Sequence, residues 1–266
     1  MSEHKDKDEV RGAVRDRYAE VAKAGSSCCG TGASCCGTTS MAPDEISAQL
    51  GYSEEELALA PEGANLGLGC GNPQAIAELK PGEVVVDLGS GAGFDCFLAA
   101  RGVGPTGHVI GVDMTPEMVA RARENARKAG MDNVEFRLGE IEHLPVADAS
   151  ADVIISNCVI NLSPDKPAVL RDAFRVLKPG GRLAVSDVVA TAELPQSWKD
   201  DMRLLSACIS GAVDIDTLAQ MLADAGFVAI DIRPKEESRE FIREWEPETE
   251  LEDYVLSAAI RATRPQ

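Results

Sequence analysis

Three cysteines lie far apart in this sequence, and each has a short, distinctive segment around it. Cys70 lies in NLGLGCGNP, Cys158 in SNCVINL and Cys208 in LLSACISGA. Thiols are poorly suited to hydride transfer or phosphate chemistry, but thiolates are strong ligands for soft, thiophilic atoms. If the three meet beside a bound cofactor, they predict a site that holds such an atom next to it.

The amino-acid composition and net charge limit the classes of partner that this protein could bind. The 266 residues are 44% hydrophobic and 4% aromatic, with a net charge of −18. A globular body is expected, while so acidic a surface disfavours nucleic acids and anionic membranes. The charged N-terminus lacks a signal-peptide core, and no stretch has the length of a spanning helix. We expect a cytoplasmic protein whose eight cysteines serve as ligands, nucleophiles or redox groups.

The elements that must position these thiols alternate regularly from residue 81 to residue 192. Short β-branched runs that predict buried parallel strands are VVVDLG, HVIGVDM, NVEFRLG, ADVIISNC and RLAVSDVV. Helical patterns lie between them, including one that starts at Thr115 and Pro116 and ends at Gly130. The alternation predicts an α/β fold with a doubly wound, Rossmann-like sheet.

Two further regions flank this core. Residues 1–80 contain a helical pattern, a small-residue segment with four cysteines and the NLGLGCGNP loop. Residues 193–266 predict two helices over 195–226, followed by FVAIDIRP and YVLSAAIRA as a closing antiparallel strand pair. Cys208 falls within the first of these helices. We expect the N-terminal region and the C-terminal helices to contribute to substrate binding.

The first strand ends in a glycine-rich loop, DLGSGAGFD, which begins at Asp87. Gly89, Gly91 and Gly93 allow a tight turn and close approach to a ligand at a helix N-terminus. The third glycine comes one residue too early for the dinucleotide fingerprint. Asp113 ends the second strand, where an acid accepts hydrogen bonds from ribose hydroxyls. The pattern indicates a nucleoside other than a dinucleotide.

Residues 80–190 as a whole resemble the class I S-adenosylmethionine methyltransferases. The loop, the acid at the second strand and the KPGG before the fifth strand carry the resemblance. It implies that Asp87 and the glycines lie near the methionine end of the cofactor. It also implies Asp113 and Met114 near the ribose and adenine, with Glu140 and Ile141 near the adenine.

Three thiols beside a methyl donor form a suitable binding site for trivalent arsenic as a methyl acceptor. Arsenic(III) is strongly thiophilic and takes three ligands in a pyramid, so its lone pair stays free. That lone pair carries no proton, and no general base is needed for attack on the sulfonium methyl group. Catalysis then depends mainly on proximity and orientation.

The chain also resembles the arsenite S-adenosylmethionine methyltransferases across residues 10–215. The motifs that carry this resemblance are the paired N-terminal cysteines, GCGNP, DLGSGAGFDC, GVDMTPEM, SNCVINLSPDK and LKPGGRLAVSD. It implies Cys158 and Cys208 as central arsenic ligands and Cys70 as the third. It implies that Asn157 borders the methyl end of the cofactor, and that Cys28 or Cys29 assists binding or closes a transient disulfide.

The other cysteines have simpler alternatives. Cys96 lies one turn into the first core helix and is expected to pack in the core. The paired cysteines Cys28, Cys29, Cys35 and Cys36 could capture arsenic, exchange disulfides with the site thiols or form a zinc site. Their vicinal spacing suits a tetrahedral zinc ion poorly.

The predicted function is methyl transfer from S-adenosylmethionine to arsenite or its thiol adduct. A thiol reductant, glutathione or a thioredoxin-type protein, is the expected co-substrate. Two alternatives remain at this point. One is a methyltransferase of the same fold that acts on a small organic molecule, and the other is a non-enzymatic metalloid-binding protein.

Overall fold

A seven-stranded sheet forms the frame of the computed structural model, which describes residues 6–24, 41–199, 201–206, 208–245 and 249–266. The strand order is β3-β2-β1-β4-β5-β7-β6. The first five strands are parallel, and β7 pairs antiparallel with both β5 and β6. The strands are β1 Val84–Leu88, β2 His108–Asp113, β3 Val134–Leu138, β4 Ala151–Asn157, β5 Leu177–Ala190, β6 Val228–Pro234 and β7 Val255–Thr263. The predicted Rossmann-like α/β fold and its closing antiparallel pair are confirmed.

Helices cover both faces of this sheet and extend over its carboxyl edge. They are α1 Lys7–Ala24, α2 Pro43–Gln49, α3 Glu54–Leu59, α4 Gln74–Ala77, α5 Phe94–Val103, α6 Pro116–Ala129, α7 Lys166–Val176, α8 Gln196–Lys199, α9 Met202–Ser206, α10 Ile215–Asp224 and α11 Ser238–Trp245. None of these helices, within the residues that the structure describes, is long and apolar enough to span a membrane.

The core is split into two layers because side chains alternate along each strand. In β1, Val86 and Leu88 pack in the cluster that includes Val169 of α7 and Leu222 of α10. Val85 points the other way, into the cluster that α5 and α6 cover. All three β1 side chains are fully buried. Burial on both faces explains the unbroken apolar run in the sequence.

Helix α6 follows the capping signals in its sequence. Pro116 occupies the first turn, and Gly130 ends the helix in the left-handed conformation that favours glycine. Thr115 is the N-cap residue, although its side chain makes no capping hydrogen bond. Its backbone N–H instead donates to Asp113 at 2.8 Å, which links the helix start to the second strand's acid.

The structure differs from the sequence prediction at three places. Helix α7 ends at Val176 and β5 begins at Leu177, so Pro179 and Gly180 lie inside a strand rather than ending the helix. The predicted helix around Cys208 is broken into α8 and α9, and Cys208 lies in the following turn. Helix α11 lies between β6 and β7, where the sequence predicted no helix.

Candidate active site

A cavity of about 460 Å³ lies at the carboxyl ends of the parallel strands. That edge is where open α/β sheets bind ligands, because the loops there diverge and helix N-termini point outward. Its walls come from the loop after β1, the ends of β2 and β4, helix α1 and helix α11. Two of the three predicted arsenic ligands, Cys158 and Cys208, lie on this wall.

The glycine loop between β1 and α5 is shaped by packing on one side and by the cavity on the other. All three glycines have positive φ angles. A Cβ on Gly89 would come within 2.5 Å of Val159, and one on Gly93 within 2.7 Å of Phe136. Gly91 faces open space and donates its N–H to Asp113 at 2.9 Å. The loop therefore holds the second strand's acid against the cavity.

Three carboxylates, Asp87, Asp95 and Asp113, line the cavity and are buried. Their hydrogen-bond donors within the described chain are all neutral groups, from thiol, phenol, amide and backbone. Burial raises the pKa of Asp87 well above its usual range and raises that of Asp113. A cationic ligand would fit such a row of uncompensated acids, and S-adenosylmethionine carries both a sulfonium and an ammonium charge.

Asp95 is a site residue that the sequence prediction missed. Its carboxylate accepts hydrogen bonds from the Tyr52 hydroxyl at 2.8 Å, from Gln74 at 3.4 Å and from Asn157 at 3.4 Å. Burial raises the pKa of Asp95 to about 6, against these hydrogen bonds. Its position two residues after the last loop glycine was the available signal, because that places it in the first turn of α5.

Asn157, at the end of β4, fastens the NLGLGCGNP loop to the sheet. Its side-chain oxygen accepts from the Cys70 N–H at 3.0 Å, and its amide nitrogen donates to the Gly71 carbonyl at 2.7 Å. Gly69 passes so close that an added Cβ would lie 2.7 Å from the Asn157 amide. Asn157 also lines the cavity, so one side chain contacts both the cavity and the loop that carries Cys70.

The three thiols meet in one buried cluster beside the cavity. Cys158 and Cys208 have positive φ angles of 60° and 64°, which non-glycine residues rarely adopt. The Cys208 Sγ lies 2.7 Å from the Cys158 carbonyl oxygen, to which the thiol donates. The Cys158 N–H donates to Ser186 of β5, and Ser257 of β7 donates to the Cys70 carbonyl at 2.5 Å. Five segments distant in sequence thus converge at the thiols.

The protonation of the cluster follows from these contacts. Hydrogen bonds with the Cys208 and Cys70 thiols, together with burial, raise the pKa of Cys158 well above its usual range. The hydrogen bond with Cys158 lowers the pKa of Cys208, but burial and nearby Asp187 outweigh it and raise that pKa overall. Both thiols therefore carry their protons at neutral pH in the free protein.

Two further charged groups adjoin the thiols, the buried Asp187 and the half-buried Lys166, and the sequence prediction named neither. Asp187 of β5 is 3% exposed, and burial raises its pKa to about 6. Lys166, at the start of α7, has its pKa lowered by burial, while the charges of Asp187, Cys208 and Glu142 act in the opposite direction. The pairing of Asn157 with Ser186 across β4 and β5 brings Asp187 level with Cys158.

Of the residues predicted to lie near the adenine, some line the cavity and one does not. Met114 and Ile141 line it. Glu140 is not among the lining residues, since its carboxylate pairs with Arg11 at 3.5 Å and Arg15 at 3.4 Å on helix α1. Glu142 lines the cavity instead and is buried, accepting from Ser163 at 2.6 Å. The role of Glu140 stays a prediction.

The remaining cysteines divide into one core residue and four outside the described chain. Cys96 is fully buried and donates its thiol to Asp87 at 3.2 Å, so it packs in the core as expected and also contacts a cavity acid. The predicted auxiliary thiols Cys28 and Cys29, like Cys35 and Cys36, lie outside the described residues.

Comparison with known proteins relates the chain to methyltransferases. Residues 79–226 match the family model described as a methyltransferase domain. An arsenite methyltransferase from Halobacterium salinarum is 54% identical over the whole chain, which spans 69% of that protein. The mouse arsenite methyltransferase is 36% identical over 85% of the chain, which spans 60% of it. The crystal structure of an arsenic(III) S-adenosylmethionine methyltransferase from Chlamydomonas reinhardtii superposes with a TM-score of 0.61 and 34% identity, over 83% of this chain and 73% of that one.

Proposed function

We propose that this chain, which belongs to the arsenite methyltransferase family, transfers a methyl group from S-adenosylmethionine to trivalent arsenic held by Cys70, Cys158 and Cys208. The observation that carries the proposal is the convergence of these three thiols in one buried cluster beside the cavity. Three soft ligands are what a pyramidal arsenic(III) centre requires. Residues that only pack would not need left-handed backbone at two of three positions.

The residues along the cavity fit the cofactor. Asp87, Asp95 and Asp113 offer negative charge with only neutral hydrogen-bond donors, and the open face of Gly91 leaves room for close backbone approach. When bound, S-adenosylmethionine supplies a methyl group that bonds to the arsenic lone pair while its bond to sulfur breaks and that electron pair stays on sulfur. Asn157 and the glycine loop line the same cavity and would contact the donor there.

The thiols bind arsenic by exchange. Because Cys158 and Cys208 are protonated in the free protein, the buried cluster avoids mutual repulsion before the substrate arrives. Each S–H bond that breaks is replaced by an S–As bond. Its proton leaves on the thiolate or hydroxide that arsenic releases. Held in three bonds, arsenic has one lone pair left, and the cluster fixes where that pair points.

Methyl transfer oxidises arsenic from the trivalent to the pentavalent state, and two electrons must return it. Two cysteine sulfurs that leave arsenic together as a disulfide supply that pair, which gives trivalent methylarsenic. A thiol reductant of the glutathione or thioredoxin type then supplies two electrons and two protons to restore the thiols. We include this co-substrate, and the assistance of Cys28 or Cys29, in the proposal.

The direct experiment combines the protein, S-adenosylmethionine, sodium arsenite and a thiol reductant. Element-specific mass spectrometry should find methylated arsenic well above a heat-inactivated control. Its absence would contradict the proposal. Cys158→Ser and Cys208→Ser should abolish turnover while S-adenosylmethionine affinity, measured by calorimetry, stays within about twofold, since neither thiol holds the donor.

Cys96→Ser is the matched control for these variants. It exchanges a buried cysteine that lies outside the thiol cluster, and serine keeps a donor for Asp87. Turnover should be retained in this variant. Full turnover in both Cys158→Ser and Cys208→Ser would show that the arsenic ligands are assigned wrongly.

A further inference from the structure

A buried carboxylate lies among the thiols, although arsenic(III) would bind through sulfur ligands alone. One ligand atom each from Cys70, Cys158 and Asp187 lie within 4.8 Å of one another, and all three side chains are buried. Cys208, by contrast, directs its thiol to the Cys158 carbonyl oxygen. The group that is already assembled therefore has two sulfur atoms and one oxygen atom, rather than three sulfur atoms.

Asp187 is held in place as a ligating carboxylate would be. Its Oδ1 accepts from the Val188 N–H at 2.8 Å and from Asn161 Nδ2 at 2.9 Å, and its Oδ2 accepts from the Ile160 N–H at 3.0 Å. Such supporting hydrogen bonds orient metal ligands and are part of a built site. Oδ1 accepts two of these hydrogen bonds and Oδ2 accepts one, so the lone pair that remains for a ligand is on Oδ2.

We propose that Cys70, Cys158 and Asp187 bind a divalent cation of borderline softness, with Zn²⁺ as the best match, and that this binding excludes arsenite. Zinc takes mixed sulfur and oxygen ligands, which lie about 3.5 to 3.8 Å apart around a tetrahedral ion. The ligand atoms of the cluster, which lie within 4.8 Å of one another, would have to approach by up to about 1 Å to reach that size. The fourth position is open to water, because the Cys208 thiol is directed to the Cys158 carbonyl.

The charges around the cluster suit a divalent ion. Zn²⁺ displaces the thiol protons of Cys70 and Cys158, which leave to solvent. The two thiolates and the carboxylate then carry three negative charges, and Zn²⁺ neutralises two of them. The half-buried Lys166, which interacts electrostatically with both Asp187 and Cys208, compensates the third. Arsenic(III) prefers three sulfur ligands, so Asp187 would be a ligand of Zn²⁺ but not of arsenic. The competition with arsenite rests on the proposed function, whereas the cation site itself does not.

The test measures Zn²⁺ affinity by competition with a chromophoric chelator, under a phosphine reductant. The full-length protein should carry serine at Cys28, Cys29, Cys35 and Cys36, so that these thiols bind no zinc. Asp187→Asn should weaken Zn²⁺ binding by about 100-fold or more. Loss of a residue that only hydrogen-bonds to a metal ligand costs about 10- to 100-fold, so a larger loss indicates that Asp187 is itself a ligand. Cys208→Ser should change Zn²⁺ affinity by less than about tenfold, because its thiol lies outside the assembled group.

Glu142→Gln is the matched control, since Glu142 is a buried carboxylate near Lys166 but outside the assembled group. Its Zn²⁺ affinity should equal that of the parent. If the Asp187→Asn variant does not fold, cysteine alkylation of the parent protein is measured instead, with and without Zn²⁺. Zn²⁺ should then slow the labelling of Cys70 and Cys158, as mapped on their peptides, and protection of neither cysteine overturns the proposal.

Arsenite behaviour separates this inference from the proposed function. In the wild-type chain, Zn²⁺ should raise the KM for arsenite without changing kcat, and Asp187→Asn should remove that inhibition. If Asp187→Asn keeps full Zn²⁺ affinity while Cys208→Ser loses it, zinc uses the three thiols alone and the inference is wrong, although arsenite methylation stands. If the protein binds Zn²⁺ as expected but produces no methylated arsenic, the zinc inference stands and the proposed function is wrong.

Discussion

Asp95 shows how burial can prepare a carboxylate for a cationic partner. Its side chain is 8% exposed and has only neutral donors around it, from Tyr52, Gln74 and Asn157. Burial disfavours the charged form, and the pKa therefore rises to about 6. A bound cation would supply the missing counter-charge and return the acid to its ionised state.

Affinity for S-adenosylmethionine should consequently depend on pH. The cationic ligand favours ionised Asp95, so binding must release a proton wherever the free acid is protonated. Affinity should rise about tenfold from pH 5 to pH 7 and then level off above the pKa near 6. Calorimetry across this range measures the effect.

Two comparisons make this prediction specific. S-adenosylhomocysteine lacks the sulfonium charge and should show a smaller rise, and Asp95→Asn should flatten the curve for S-adenosylmethionine. A tenfold rise that persists in Asp95→Asn would assign the titration to another group. The sign for folding is opposite: the raised pKa stabilises the unliganded fold at low pH, and this contribution is lost as pH rises from 3.8 to about 6.

The loop that carries Cys70 is positioned by shape as much as by hydrogen bonds. Gly69 has a φ of 124° and passes against Asn157, which binds the backbone on either side of the Cys70 side chain. Any side chain at this position would push the loop from the end of β4. The spacing between Cys70 and the two other thiols depends on this contact.

Gly69→Ala should therefore reduce arsenite turnover by about 100-fold, the cost of misplacing a reacting group by about 1 Å. Gly51→Ala is its matched control, because Gly51 also has a positive φ, of 97°, but nothing within 4 Å of the added Cβ. Both variants should lose about 1 kcal/mol of unfolding free energy from backbone strain. Only Gly69→Ala should lose activity per folded molecule, and equal turnover in the two would contradict this account of the loop.

The last strands of the sheet connect the whole molecule to its site. β7 lies between β5 and β6, and its Ser257 donates to the carbonyl of Cys70. It pairs with β5 along nine positions, from Arg182 opposite Thr263 to Ala190 opposite Val255. The matched methyltransferase model ends at residue 226, before both closing strands.

A chain truncated after residue 226 should accordingly fail to fold cooperatively. It would lose β7 and expose the full edge of β5, which is a template for aggregation. Deletion of Pro265 and Gln266 alone, both exposed, should leave the thermal transition nearly unchanged. Circular dichroism during heating distinguishes the outcomes, and a sharp transition in the longer truncation would show that residues 1–226 fold without the two closing strands.

Local patterns in the chain were enough to predict most of the architecture. The apolar runs of the strands, the caps of α6 and the glycine loop each depend on neighbours only a few residues away, and all three were confirmed. The segments around Cys70, Cys158 and Cys208 were distinctive for the same reason. Helix α11 was missed because its apolar stripe of Phe241, Ile242 and Trp245 is diluted by an acidic run.

The partners of these residues depend on packing between distant segments, which no local pattern encodes. Asp187 joins Cys70 and Cys158 only because β5 lies beside β4 and the loop before β1 folds over both. Cys208 leaves its expected helix because the turn after α9 packs its thiol against Cys158. Periodicity reports which face of an element is buried, whereas the sheet order decides which side chains meet there. The thiols were therefore recognisable in the sequence, but the carboxylate among them became visible only in the folded molecule.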